Sequence, residues 1–189
     1  MRTIIFFILF PIIFLGQNNY SMYFDGSDNW IVLNDAMTFN QAEGVSFAFW
    51  LNTNFNNSES RHIFDFGGAT SSGAAAPRYV VKKVENELEF WFEGSYFNST
   101  GNSTTIDLSD YANEFIYVAI IATNSTVSYY INGELFDSFE IPYSGNYALY
   151  SECEGNCIVS NIIGGNNTIM NGVPTGDYDF NGYLDNFSF

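Results

Sequence analysis

The chain has 189 residues, with 21 acidic against five basic side chains and a net charge of −16. Nucleic acid and anionic membrane surfaces would repel such a protein; the acidity suits divalent cations, calcium above all, or simply keeps an exported protein soluble. With one histidine and two cysteines in the chain, a zinc site lacks ligands.

Met1-Arg2 gives a short positive start, and residues 3–15 are apolar or small. A stretch of about thirteen apolar residues falls short of the roughly 20 that a membrane-spanning helix needs. Residues 1–16 therefore read as a secretory signal peptide, an uncleaved anchor being the alternative. No cysteine lies near Gly16 to carry a lipid. Residues 17–189 form one domain, large enough for a single core. The chain stops directly after its last expected strand, which fits a fragment of a longer, multidomain protein.

Helical periodicity is almost absent, and short alternating, β-branched or aromatic runs recur. Strands are expected at 20–25, 30–33, 44–52, 62–66, 79–84, 87–92, 115–122, 126–131, 135–141, 158–163 and 178–189. Asn132-Gly133 turns a hairpin, because both central positions must tolerate positive φ, and Glu85-Asn86 turns another. Residues 71–77 and 98–105 are small and polar and read as loops. Residues 115–121 are apolar on both faces, which marks a central strand. Many short antiparallel strands specify an all-β, two-sheet sandwich. Cys153 and Cys157, four apart, are expected to close a local disulfide in an oxidising compartment.

Three stretches occur in a telling order. They are Tyr20-Ser-Met-Tyr-Phe-Asp-Gly-Ser-Asp-Asn-Trp-Ile-Val-Leu33, Val45-Ser-Phe-Ala-Phe-Trp-Leu51, and Val127-Ser-Tyr-Tyr-Ile-Asn-Gly-Glu-Leu135, the last followed by Ile162-Ile-Gly-Gly165 and Phe180-Asn-Gly-Tyr-Leu-Asp-Asn-Phe187. Together they resemble the concanavalin A-like lectin/glucanase superfamily, specifically a laminin G-like, pentraxin-related domain. The resemblance implies an antiparallel jelly roll in adhesion or sugar-binding roles. It also implies that the terminal strands pair, bringing Asp25 near Asp185, where a calcium ion would relieve the repulsion of two carboxylates. The alternative is that both aspartates serve turns.

The superfamily's glucanases carry acidic residues along one strand face, and the nearest stretch here is Glu87-Leu-Glu-Phe-Trp-Phe-Glu93. Glu89 and Glu93 stand about 13 Å apart along a strand, whereas a retaining pair needs about 5 Å. The middle aspartate of the pattern is also missing, so an acidic solvated face is expected and an enzyme is not. His62 reads as a surface or edge residue, and Gly67-Gly68 and Gly164-Gly165 as turns rather than phosphate cradles. Aromatic residues make up 19% of the chain, more than a core of this size plainly needs. Exposed rings stack on sugars while asparagine and aspartate bond hydroxyls. Trp30, Tyr96, Tyr143, Tyr147, Tyr150 and Tyr178 are the candidates, with the 143–150 segment beside Cys153 and Cys157 as the preferred rim. Sequons at Asn19, Asn56, Asn98, Asn102, Asn124, Asn166 and Asn186 matter only in a eukaryotic secretory route. The expected function is a secreted or surface-displayed, non-catalytic module binding a glycan or an extracellular protein partner. The alternatives are a structural domain of a larger adhesin and, behind it, a divergent glycoside hydrolase.

Overall fold

A computed structural model describes residues 21–33, 44–70, 78–93, 102–123, 125–140, 157–165, 169–170, 173–174 and 178–189. Residues 1–16, where a signal peptide is expected, and Tyr96, Tyr143, Tyr147, Tyr150 and Cys153 lie outside them. The strands in chain order are β1 (Met22–Asp25), β2 (Ile31–Leu33), β3 (Val45–Asn52), β4 (Ser60–Thr70), β5 (Arg78–Val84), β6 (Glu87–Glu93) and β7 (Asn102–Asp107). Then follow β8 (Ile116–Ala122), β9 (Thr126–Ile131), β10 (Glu134–Glu140), β11 (Cys157–Ile163), β12 (Ile169–Met170), β13 (Val173–Pro174) and β14 (Asn181–Ser188). One 3-10 turn, Ser109–Tyr111, precedes β8.

Two six-stranded antiparallel sheets make the sandwich, ordered β1-β14-β3-β8-β9-β10 and β2-β11-β4-β5-β6-β7. Strand β3 shows why they pack: Val45, Phe47, Phe49 and Leu51 are buried while Ser46 and Trp50 are exposed, the period of two that a half-buried strand requires. In β6 the same alternation buries Leu88, Phe90 and Phe92. The rings meet between the sheets, where Phe47 lies 4.8 Å from Phe64, 5.8 Å from Tyr79 and 6.0 Å from Phe90. Much of the aromatic content therefore belongs to the core, although 19% of the chain reads as more than a core of this size needs.

Two further expectations change. Residues 102–107 are strand rather than loop, because Thr104 accepts and shares hydrogen bonds with the buried Tyr129 hydroxyl, 2.8 Å from its carbonyl and 2.7 Å from its Oγ1. His62 is half-buried inside β4, between β11 and β5, and not at a sheet edge. Asn132 and Gly133 have φ of 54° and 89°, the expected hairpin geometry.

Candidate functional site

At one end of the sandwich the end of β3, the entry to β8 and the start of β14 are tied together. Thr53 Oγ1 donates to the Asn181 carbonyl at 2.8 Å, Asn113 N to the Thr53 carbonyl at 2.9 Å, and Asn52 Nδ2 to the Asn113 carbonyl at 3.0 Å. Asparagine suits this loop because its side chain bonds its own backbone two residues on: Asn56 N donates to Asn54 Oδ1 and Glu59 N to Asn57 Oδ1. Gly182 has φ of 152°, and a Cβ there would strike the Asn52 carbonyl and come within 2.7 Å of Phe180 Cζ. Only glycine lets β14 lie this close to β3. The result is a cleft of about 300 Å³, at the lower end of small-ligand sites, lined by five asparagines, Thr53, Tyr23, Tyr183, Glu59, Arg61, Lys83 and Gly182.

Its charges are held in place. Lys83, next to last in β5, stands opposite Leu88, so alternation turns it inward, and it is 1% exposed. Its Nζ donates to the Asn57 carbonyl at 3.1 Å, to the Glu59 carbonyl at 2.9 Å and to Asn57 Oδ1. Burial lowers the pKa of this ammonium, and Glu59 works against the shift. Arg61 Nη2 lies 3.3 Å from Glu59 Oε1, and its hydrogen bond holds that carboxyl below the ordinary glutamate value. Lys83 thus fixes the loop that forms the floor, and the trio of Arg61, Lys83 and Glu59 carries one net positive charge.

Aromatic rings form the rim. Tyr23 and Tyr183 sit opposite each other on β1 and β14, rings 4.9 Å apart, and Phe115 lies 5.9 Å from Tyr183. All three are exposed, by 56%, 39% and 48% respectively. Apolar ring faces beside fixed amides and hydroxyls suit a ligand with C–H surfaces and hydroxyl groups. The architecture and this rim can be set against known proteins. A laminin G family model, described as the concanavalin A-like lectin/glucanases superfamily, matches residues 25–189.

The chain belongs to that superfamily. No curated protein matches it in sequence. Among solved structures it is similar to the receptor binding domain of botulinum neurotoxin D, at 18% identity and TM-score 0.61, covering 90% of this chain and 40% of that one. Mouse laminin alpha1 domains LG4-5 are similar at 13% identity and TM-score 0.57, with 89% and 41% covered. The botulinum neurotoxin serotype D ligand binding domain in complex with N-acetylneuraminic acid is similar at 15% and 0.54, with 90% and 42% covered. The chain spans about two fifths of the length of these chains, and the likeness is one of fold.

Within this laminin G-like domain the expected site residues fall into separate places. Tyr178 is exposed and packs edge-on against His62 at 5.6 Å, and His62 N donates to the Tyr178 carbonyl at 2.8 Å. The neighbouring Asp179 is buried and accepts from Asp28 N at 2.8 Å. A Cβ on Gly165 would meet both Asp179 Oδ1 and Trp30 Cβ at 3.2 Å, so Trp30 lies near Asp179 as Tyr178 lies against His62, and neither Trp30 nor Tyr178 lines the cleft. Cys157 opens β11, while its expected partner Cys153 lies outside the described residues.

The terminal strands pair as expected, yet Asp25 faces Asn181 and Asp185 faces Trp50. Four residues of β14 separate the two positions, about 13 Å of strand. Asp25 Oδ1 instead accepts from Ser27 N at 2.9 Å, and Asp185 Oδ1 from Asn186 N at 2.7 Å. No group of three or more His, Cys, Asp or Glu side chains converges among the described residues. This register does not fit a calcium ion held jointly by Asp25 and Asp185. On β6, Glu89 pairs with Lys82 at 3.1 Å, and neither Glu87 nor Glu89 lines the cleft.

Tyr23 and Tyr183 escaped the sequence reading, although the signal was there. Phe24 and Leu184 are apolar core positions, so each preceding tyrosine must point to the other face.

Proposed function

We propose that this domain is a non-catalytic recognition module whose ligand is a glycan, bound in the asparagine-lined cleft with Tyr23, Tyr183 and Phe115 stacking on sugar faces. The observation that carries this reading is the pairing of exposed rings with fixed amides at the start of β14. The neurotoxin domain in complex with N-acetylneuraminic acid and the toxin receptor-binding domains support a binding rather than a catalytic role for this architecture. A secreted or surface-displayed location goes with it: residues 1–16 serve as the leader, and Cys153 and Cys157 form a disulfide once outside the reducing cytosol.

The test is a glycan array probed with the protein and with Tyr183→Ala. Array hits that fall about tenfold in affinity in the variant, at unchanged melting temperature, would support the cleft. An array without hits, or hits indifferent to Tyr183, would remove the glycan from it. A protein partner is the second reading, favoured by the edge strand β10, where Leu135 is 58% and Phe136 42% exposed.

A further inference from the structure

We propose that the outer face of the first sheet is a platform for an extended, neutral, β-1,4-linked glycan, so that the cleft is the end of a longer site that reads a polymer along its length. The inference rests on the glycan reading of the cleft and deepens it. Its basis is where alternation sets the outward side chains. Tyr23, Tyr183 and Asn52 stand in one cross-strand row, with Phe115 leaning on Tyr183. In the next row, Asp185, Trp50 and Tyr117 face one another on β14, β3 and β8.

The two rows join into one strip. Diagonal neighbours on a sheet face stand about 7–8 Å apart, which is the step from Tyr183 to Trp50. The Trp50 and Tyr117 rings are then 5.5 Å apart. From β1 to β8 the strip crosses three strand spacings, about 14 Å, more than a single monosaccharide covers. Past Trp50 and Tyr117 the outward positions on β3 and β8 are Ala48 and Ala119, so the rings stand above a low flank. Trp50 is 37% exposed, and a contiguous aromatic surface of this kind marks a contact site.

Chemistry narrows the occupant. Equatorial β-1,4 linkages make a flat ribbon with C–H faces that a line of rings can follow, while Asp185 and Asn52 between the rings meet hydroxyls. A net charge of −16 disfavours polyanionic chains and leaves a neutral one.

The experiment is calorimetric titration of the full chain with cello- and chito-oligosaccharides, from disaccharide to hexasaccharide. Affinity is expected to rise about tenfold with length in at least one series, the gain that extra stacked rings supply. The double variant Trp50→Thr with Tyr117→Thr keeps disaccharide affinity within about twofold and loses the rise. Ala119→Arg, which places bulk beside the rings without removing them, gives the same loss should the double variant melt early. Affinity independent of length overturns the platform while leaving the cleft. Binding of neither series, with array hits elsewhere, overturns the choice of polymer. A dimer by sedimentation that Trp50→Thr turns into monomer assigns this face to a second copy of the chain and overturns the proposal. Disaccharide binding that ignores Tyr183→Ala is the separate failure of the cleft itself.

Discussion

On the outer face of the first sheet Tyr23, Tyr183, Phe115 and Trp50 are each more than a third exposed, whereas the outward Glu87, Glu89 and Trp91 of β6 in the second sheet are only half-buried, Glu89 being paired with Lys82. Farther across that second sheet, Val80, Asp65 and Ile162, set opposite one another on β5, β4 and β11, are buried. Both sheets give their inner faces to the same aromatic core, so packing does not account for the contrast. Exposed rings gain nothing from water. The exposed rings of the first sheet are those of the proposed contact surface, whereas the second sheet presents no such ring row among the described residues.

The contrast is broken most severely from inside. Phe47→Ala removes the ring shared by Phe64, Tyr79 and Phe90, and should cost about 3–5 kcal/mol in denaturant unfolding. Next comes Lys83→Ala, which leaves the Asn57 and Glu59 carbonyls without their buried donor. A loss of about 1–3 kcal/mol is expected, together with weaker ligand binding as the floor loop loosens. Glu89→Gln sharpens the comparison from the other sheet. It should change stability by no more than about 1 kcal/mol and leave ligand affinity untouched.

Two smaller effects test the site's electrostatics. Asp25→Ala and Asp185→Ala should shift stability additively to within about 0.5 kcal/mol, with calcium or with chelator, as expected of positions that share no partner. A coupling that appears only with calcium would restore a shared ion. Glu59 has its pKa lowered in the folded protein by the Arg61 hydrogen bond. Its contribution is thus present above the ordinary glutamate range and is lost as pH falls through the lowered value. Unfolding free energy measured against pH should show that acid limb, and Glu59→Gln should abolish it.

The strands were legible wherever buried positions alternate with polar ones, as in β3, β6 and β9. Strand β7 was not, since Asn102, Ser103, Thr104 and Thr105 carry a loop's composition and gain their strand partner in β6 and their anchor in Tyr129 from far along the chain. The cleft was hidden for a related reason. Its asparagines come from residues 52–57, 113 and 181, unremarkable in a chain full of asparagine until β3, β8 and β14 bring them together. The disagreement over Asp25 and Asp185 is one of register: pairing of the terminal strands was foreseen, but no residue pattern fixed which rung faces which.

Strand β14 lies between β1 and β3, although well over a hundred residues separate it from either. During synthesis the first sheet must wait, its β1 and β3 edges unpaired, until residues 181–188 emerge and slot between them. Such long-range closure is slow, and open edges invite pairing with other chains. Tyr183 and Gly182 arrive with that same strand, so the proposed site is assembled by the step that completes the sheet. A chain caught before it, or cleaved ahead of residue 181, would keep Tyr23 and Phe115 but lack Tyr183 and the wall of the cleft that Asn181 and Gly182 form.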